Sequence, residues 1–174
     1  MVTIYLVRHG QTEENLAGIL QGHLPGHLTE KGKEQARGLI PQLATLPLDA
    51  ALCSDLQRCR DTLQIALNGR ELPTEATPLL REIDWGSLTG KLIKDVDFSQ
   101  LPADVETKEH LYARGGQVLD YLRKHYEGKT VLVLAHGMIN RSIQANIEGI
   151  SRDQIRTVPK MENAEIRKFV IERN

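Results

Sequence analysis

Residues 2–10 read Val2-Thr3-Ile4-Tyr5-Leu6-Val7-Arg8-His9-Gly10. Positions 2 to 7 are apolar or β-prone almost without interruption, which is typical of a strand buried on both faces of a sheet. Such a strand requires helices on either side of the sheet. Residues 129–135 predict the clearest further strand, which also runs directly into a histidine and a glycine, His136-Gly137.

Helical and extended patterns alternate along the rest of the chain. Thr29 predicts the N-terminus of a helix, which Pro41 should kink or end. Ser54 or Asp55 is expected to cap another helix, after a short strand over residues 49–53. The remaining expected elements are a strand over residues 74–76, helices over 109–126 and 138–147, and a final strand over 164–172. This alternation predicts an α/β fold with a mostly parallel central sheet. The lack of repeats or linkers predicts a single domain over residues 1–174.

Composition and charge argue against several functions. The formal net charge is -1, aromatic residues make up 4% of the chain, and no long basic run is present, so nucleic-acid binding is not expected. No segment approaches the roughly 20 apolar residues of a membrane span. Without a recognisable export signal, the expected location is cytoplasmic. Cys53 and Cys59 are expected to be reduced packing residues, and they lack histidines at zinc-ligand spacing.

Two histidines and two arginines stand at or just beyond the ends of predicted strands. His9 and His136 each follow a strand, Arg8 precedes His9, and Arg58 lies one turn into the helix after the second strand. Ligands of open α/β sheets bind at the carboxyl ends of strands, and guanidinium groups suit phosphate oxygens. The helix that begins after Gly137 is expected to add backbone donors to the same pocket. Taken alone, each residue has a simpler explanation: a structural histidine, a surface Arg8, or an Arg58 paired with Asp55 or Asp61. Their joint placement predicts a site for a small dianion.

The segment Arg8-His9-Gly10-Gln11-Thr12-Glu13-Glu14-Asn15 closely resembles the signature of the histidine phosphatase superfamily, the phosphoglycerate mutase-like proteins. The resemblance continues in the family's order through Gln21-Gly22, Leu28-Thr29-Glu30-Lys31-Gly32, Ser54-Asp55-Leu56 with Arg58 and Thr62, Leu80-Arg81-Glu82 with Gly86 and Gly90, and His136-Gly137. Ala135 departs from the pattern, because many relatives carry Ser or Thr before the second histidine.

The resemblance implies a three-layer α/β/α sandwich and a metal-independent phosphatase that works without a cofactor. His9 is the implied nucleophile, which forms a phosphohistidine intermediate, and Glu82 is the implied general acid, with Asp84 as the alternative. Arg8, Arg58 and His136 would hold the phosphate. The implied substrate-binding positions at the mouth of the pocket are Asn15, Gln21, Gly22 and Gly137.

Several alternatives stay open. The segment between Glu82 and His136 is shorter than in bisphosphate-dependent mutases, which favours hydrolysis of a small phosphorylated metabolite such as α-ribazole phosphate or a sugar phosphate. A phosphoglycerate mutase is the enzymatic alternative, and a catalytically silent member that binds a phosphorylated ligand or a protein is the other. His23 and His27 are either solvated loop residues or substrate contacts. A monomer and a homodimer are both compatible with the sequence.

Overall fold

A five-stranded sheet forms the centre of the structure, a computed structural model that describes residues 1–173. The strand order is β3-β2-β4-β1-β5. Only the pairing of β5 with β1 is antiparallel. The strands are β1 (Val2–Arg8), β2 (Ala50–Ser54), β3 (Thr74–Thr77), β4 (Thr130–Ala135) and β5 (Ile166–Ile171). The predicted α/β class and the mostly parallel sheet are confirmed.

Helices cover both faces of this sheet and form the predicted outer layers. Three helices, α2, α3 and α4, contact one another on one face, while α5 and α6 pack together on the other. The helices are α1 (Glu13–Ala17), α2 (Glu30–Gly38), α3 (Ile40–Ala44), α4 (Gln57–Leu67), α5 (Lys108–His125) and α6 (Gly137–Ile147). None of those in the described part of the chain is long and apolar enough to cross a membrane.

Alternating side chains of the central strand β4 supply both cores. Val131 and Val133 belong to the core under α5 and α6, whereas Leu132 and Leu134 belong to the core under α2, α3 and α4. All four are at most 1% exposed. Because successive side chains of a strand point to opposite faces, a strand covered on both faces must be apolar at every position. The uninterrupted apolar pattern of β4 therefore follows from its central place.

The register of the parallel strands brings the two histidines together. Arg8 of β1 lies opposite Ala135 of β4, so the next residues along the two strands, His9 and His136, leave the sheet side by side. On the other side of β4, Cys53 of β2 lies opposite Leu134, which places Ser54 at the same edge. All three residues lie at the carboxyl edge of the sheet, where ligands of such folds bind.

Two expected helix boundaries differ in detail. Pro41 does not kink a continuous helix. Instead, α2 ends at Gly38 and a new helix, α3, begins at Ile40 with the proline in its first turn, where its missing N–H is harmless. The prediction that Ser54 or Asp55 caps the next helix was wrong. Leu56 is the N-cap of α4, and its apolar side chain makes no capping bond, whereas Asp55 is paired with Arg81.

The loop after His9 passes very close to helix α2. A Cβ atom on Gly10 would lie 2.5 Å from the carbonyl oxygen of Gly32, so no larger residue fits without moving backbone. The backbone of residue 10 can approach the backbone of α2 this closely only because glycine has no side chain. It fixes the path of the chain immediately after the proposed nucleophile.

Truncation of the central strand should be costly. We expect Leu132→Ala to lower the free energy of unfolding by about 2–5 kcal/mol, because Leu132 is fully buried and the cavity left behind adds to the lost transfer energy. Urea denaturation monitored by circular dichroism would measure the change. Leu16→Ala, at a side chain that is 69% exposed, is the matched control and should change stability by less than about 0.5 kcal/mol. Equal effects at the two positions would contradict the assigned core.

Candidate active site

Arg58 joins the two histidines at the edge of the sheet. Its Nε lies 3.3 Å from Nε2 of His9 and 3.2 Å from Nδ1 of His136. The two imidazole rings meet edge to face, with centroids 5.2 Å apart. Each of the three residues is at most 2% exposed. The structure thus brings together three of the predicted residues, which lie 49 and 78 positions apart in sequence.

The backbone next to His9 sets the orientation of its ring. Nδ1 of His9 lies 2.7 Å from the carbonyl oxygen of Gly10, an atom that can only accept. Nδ1 therefore carries the hydrogen, and Nε2 of the neutral ring presents a lone pair toward Arg58. The Gly10 N–H in turn donates to Thr62 Oγ1 of α4 at 3.1 Å. Helix α4 therefore fixes Gly10, and Gly10 orients the imidazole of His9.

Both histidines are kept neutral by their surroundings. Burial, followed by the charge of Arg58, lowers the pKa of His9 well below 6.5, although the Gly10 carbonyl opposes the change. Burial and then Arg58 also lower the pKa of His136 well below 6.5. An uncharged imidazole is the form that has a lone pair for attack on phosphorus.

A loop after α1 holds the guanidinium group of Arg58. Nη2 donates to the carbonyl oxygen of Gly22 at 2.9 Å, and Nη1 donates to that of Leu24. Gly26 has a φ of +75°, and a Cβ atom there would lie 2.8 Å from Cδ of Arg58. The simpler explanation, that Arg58 pairs with an aspartate along its own helix, is wrong. Asp55 pairs with Arg81, and Asp61 accepts from Gln57.

Arg8 lies beside this trio. Its Nη1 donates to the carbonyl oxygen of Met161 at 2.7 Å, while its buried Nε has no acceptor within residues 1–173. The guanidinium lies against Gly137, where an added Cβ atom would be 3.4 Å from Nε. A buried cationic donor without an acceptor is costly, and a bound anion would satisfy it.

Glu82 occupies the N-terminus of helix α6. Its carboxylate accepts hydrogen bonds from the backbone N–H groups of Met138 and Ile139, each at 3.1 Å. Its position next to His136–Gly137 agrees with the helix dipole, which favours negative charge at an N-terminus. Two of the backbone donors expected to serve a phosphate, those of Met138 and Ile139, are therefore already used by a side chain of the protein.

Arg114, which sequence reasoning missed, braces the segment that carries Glu82. It donates to the carbonyl oxygens of Leu79 and Arg81 at 3.0 and 2.6 Å. It also forms an ion pair with Glu106 at 2.8 Å, and Glu106 accepts the backbone N–H of Asp84 at 3.0 Å. An arginine on the apolar face of helix α5 was the available signal. Its partners could not be identified, because they lie on distant segments.

Asp84, the alternative acid, faces elsewhere. Its Oδ1 accepts from the backbone N–H of Gly86 at 2.9 Å, and its side chain is 49% exposed. It lines a neighbouring groove together with His23 and Arg81. His23 reaches the carbonyl oxygen of Glu82 at 3.0 Å, so it supports the Glu82 segment, whereas His27 forms an exposed ion pair with Glu14.

Three of the predicted mouth residues lie between β1 and α2, where two form hydrogen bonds within that segment and one accepts from α4. Asn15 Oδ1 accepts the backbone N–H of Thr12 in a capping box that starts α1. Gln21 Oε1 accepts from Thr12 Oγ1 at 2.9 Å, and the carbonyl of Gly22 accepts from Arg58. These residues therefore shape the loop that holds Arg58.

Cys53 and Cys59 are both buried, and they do not form a disulfide with each other.

The fold and this pocket define an α/β protein with two histidines joined by a buried arginine at the carboxyl edge of its sheet. The chain belongs to the histidine phosphatase superfamily (branch 1), which its sequence matches over residues 4–174. The resemblance carried by the motif at residues 8–15 is confirmed at the level of the family.

Several relatives are similar over parts of their length. The adenosylcobalamin/alpha-ribazole phosphatase of Salmonella typhimurium is 47% identical over 83 residues, which cover 48% of this chain and 41% of that protein. The chain thus matches less than half the length of that relative. A probable phosphatase of Schizosaccharomyces pombe is 36% identical over 141 residues, covering 77% of this chain and 68% of that one.

Solved structures show the same fold. Bacillus stearothermophilus YhfR superposes with a TM-score of 0.90 at 26% identity, covering 97% of this chain and 90% of that one. The alpha-ribazole phosphatase from Shigella flexneri superposes with a TM-score of 0.88 at 24% identity, covering 95% and 89% of the two chains.

Two buried neutral histidines should make stability depend on pH. Below about pH 6.5 the unfolded chain protonates both rings, whereas their lowered folded pKa values keep them neutral in the native state. The unfolded state then binds more protons, so stability falls as pH falls, by up to about 1.4 kcal/mol per pH unit for each ring. Urea denaturation between about pH 7.5 and 5.5 should show this loss, reduced in His9→Gln.

His125→Gln is the matched control, because His125 lies on the exposed face of α5. It should keep the wild-type pH dependence. An unchanged dependence in His9→Gln would contradict the burial of a neutral ring at that position.

Proposed function

We propose that this protein is a metal-independent phosphomonoester hydrolase that forms a phosphohistidine at His9. The observation that supports this most directly is the hydrogen-bonded orientation of His9. Its Nδ1 is held by the Gly10 carbonyl, and its Nε2 faces a buried cationic donor, Arg58. A nucleophilic lone pair and the charge that would attract a phosphate thus share one buried pocket.

In the first step, Nε2 of His9 attacks phosphorus, and the bond between phosphorus and the ester oxygen breaks. The electron pair leaves on that oxygen, which takes a proton from Glu82 and departs as an alcohol. Phosphoryl transfer spreads charge over the equatorial oxygens, so cationic donors at fixed positions provide most of the catalysis. Arg58, Arg8 and His136 are proposed to supply these donors.

In the second step, water attacks the phosphohistidine. Glu82, now ionised, takes a proton from the water, a new P–O bond forms, and the electron pair of the P–N bond returns to Nε2. The location of Glu82 supports these roles, since its carboxylate lies at the start of helix α6 beside His136. Asn15, Gln21, Gly22 and Gly137 are proposed to border the substrate at the mouth of the pocket.

The substrate is proposed to be a small phosphorylated metabolite. Relatives named adenosylcobalamin/alpha-ribazole phosphatase support α-ribazole phosphate as a first compound to test, although they match this chain over only part of their length. Sugar phosphates are the second group. A phosphoglycerate mutase remains the alternative, because a protein of Enterobacter named probable phosphoglycerate mutase GpmB is 30% identical over 165 residues.

We further propose that the protein is a cytoplasmic monomer or homodimer, that it binds neither nucleic acid nor membranes, and that it needs no cofactor.

Removal of the nucleophile should abolish activity. We expect His9→Ala to lower the release of phosphate from p-nitrophenyl phosphate by at least about 10³-fold, because the substitution removes the proposed nucleophilic nitrogen. His125→Ala should retain wild-type activity, and EDTA should leave the rate unchanged. Acid-labile phosphate should be found on the wild-type protein after rapid quenching and be absent from His9→Ala.

Two results would contradict this proposal. Activity that survives in His9→Ala would remove His9 as the nucleophile, and a wild type without activity or phosphoenzyme would indicate a silent binding protein. Incubation with 3-phosphoglycerate and a bisphosphoglycerate primer tests the mutase alternative. Isomerisation faster than phosphate release would favour the mutase.

Glu82 and Asp84 can be separated through the leaving group. An alkoxide needs protonation in order to leave, whereas p-nitrophenolate does not. We expect Glu82→Gln to slow phosphoenzyme formation from an alkyl phosphate by about 10²- to 10⁴-fold, and to slow it much less with p-nitrophenyl phosphate. Single-turnover quench measurements on both substrates give the ratio. Asp84→Asn should keep the wild-type ratio, and the reverse pattern would assign the acid to Asp84.

A further inference from the structure

Ser54 lies directly behind His136. It ends strand β2, is fully buried, and places its Oγ 2.8 Å from Nε2 of His136, although 82 positions separate the two residues. The same oxygen accepts the backbone N–H of Leu56 at 3.3 Å. The contact therefore lies on the side of the imidazole that faces away from Arg58.

The hydrogen bonds around His136 define its tautomer when no phosphate is bound. Arg58 can only donate, and its Nε lies 3.2 Å from Nδ1 of His136. Nδ1 must therefore be the unprotonated nitrogen. The hydrogen of the neutral ring is then on Nε2, and Ser54 Oγ accepts it.

A bound phosphoryl group reverses this requirement. Nδ1 is the nitrogen of His136 that faces Arg58 and His9, so it is the one that would meet a phosphate oxygen. A phosphate oxygen is an acceptor, and Nδ1 can contact it favourably only as N–H. A doubly protonated His136 would also supply this hydrogen, but burial and the charge of Arg58 lower the pKa of His136 well below 6.5.

We propose that Ser54 is a positioning residue that lets neutral His136 change tautomer when a phosphoryl group binds. A serine hydroxyl is both a donor and an acceptor, so it can accept from Nε2–H in the empty pocket and donate to Nε2 in the occupied one. His136 then donates through Nδ1 to the transferring group while remaining uncharged. The inference depends on the proposed function, because it requires a phosphoryl group between His9 and His136.

Other groups near His136 do not offer this exchange. The charged and titratable neighbours are Arg8 at the end of β1, His9 directly after it, Arg58 and Cys59 from α4, Glu82 after β3, and Arg114 from α5. Of these, Cys59 lies nearest to Nε2, with Sγ at 3.4 Å. Its Sγ also lies 3.4 Å from the carbonyl of Ala135, to which it donates, and burial raises its pKa well above 9.0. A neutral thiol is a weaker donor than a hydroxyl.

Nitrogen NMR of ¹⁵N-histidine-labelled protein tests the tautomer directly. Vanadate, a mimic of the transferring phosphoryl group, serves as the probe. We expect the free wild type to show His136 protonated on Nε2, and the vanadate complex to show it protonated on Nδ1. In Ser54→Ala the vanadate complex should not show this Nδ1–H form of the neutral ring. A wild-type ring that keeps its proton on Nε2 with vanadate bound would overturn the proposal without any variant.

Kinetics provides the second measurement. Ser54→Ala should lower the single-turnover rate of phosphoenzyme formation by about 10- to 100-fold, with a smaller change in KM, because the lost donor acts mainly in the transition state. Ser142→Ala is the matched control: Ser142 is equally buried but donates to the carbonyl of Leu111. It should leave the rate and the tautomer unchanged. If Ser54→Ala kept the wild-type rate and tautomer, the role proposed for Ser54 would be rejected, but the proposed function would stand. If the wild type formed no phosphohistidine, the proposed function itself would be rejected.

Discussion

One N–H group, on Nε of Arg58, lies within hydrogen-bonding distance of both imidazoles, and the arrangement of the site depends on it. Because arginine only donates, each histidine must turn a lone pair toward it, so the remaining hydrogens lie on Nδ1 of His9 and Nε2 of His136. The Gly10 carbonyl and Ser54 hydroxyl receive those hydrogens on the far sides. A buried guanidinium beside two neutral rings is expensive to maintain without an anion, and this cost explains why loop carbonyls satisfy its outer nitrogens.

The sheet provides the geometry for this contact. Strands β1, β4 and β2 are parallel neighbours, and their ends deliver His9, His136 and Ser54 to one edge in adjacent positions. The first turn of α4 then brings Arg58 across the gap. Such a site requires several segments to meet, so its precision comes from the packing of both cores rather than from any single loop.

Glu82 is held by backbone hydrogen bonds at a helix N-terminus. Its carboxylate binds the backbone donors at the start of α6, a place where an anionic ligand could otherwise bind. Arg114 fixes the segment by donating to its carbonyls, and Glu106 completes the brace. These contacts on both sides of Glu82 define the position of its carboxylate beside His136.

The amino-acid sequence by itself determined the α/β class, the approximate strands and helices, and the set of residues at the strand ends, since burial periodicity and strand-end histidines are local features. It predicted neither the N-cap at Leu56, nor the occupied N-terminus of α6, nor the contacts of Arg114 and Ser54. Those depend on which distant segments become neighbours. Only the tertiary structure decided which nitrogen of each imidazole carries the hydrogen, because a tautomer is set by neighbouring donors and acceptors that sequence spacing does not reveal.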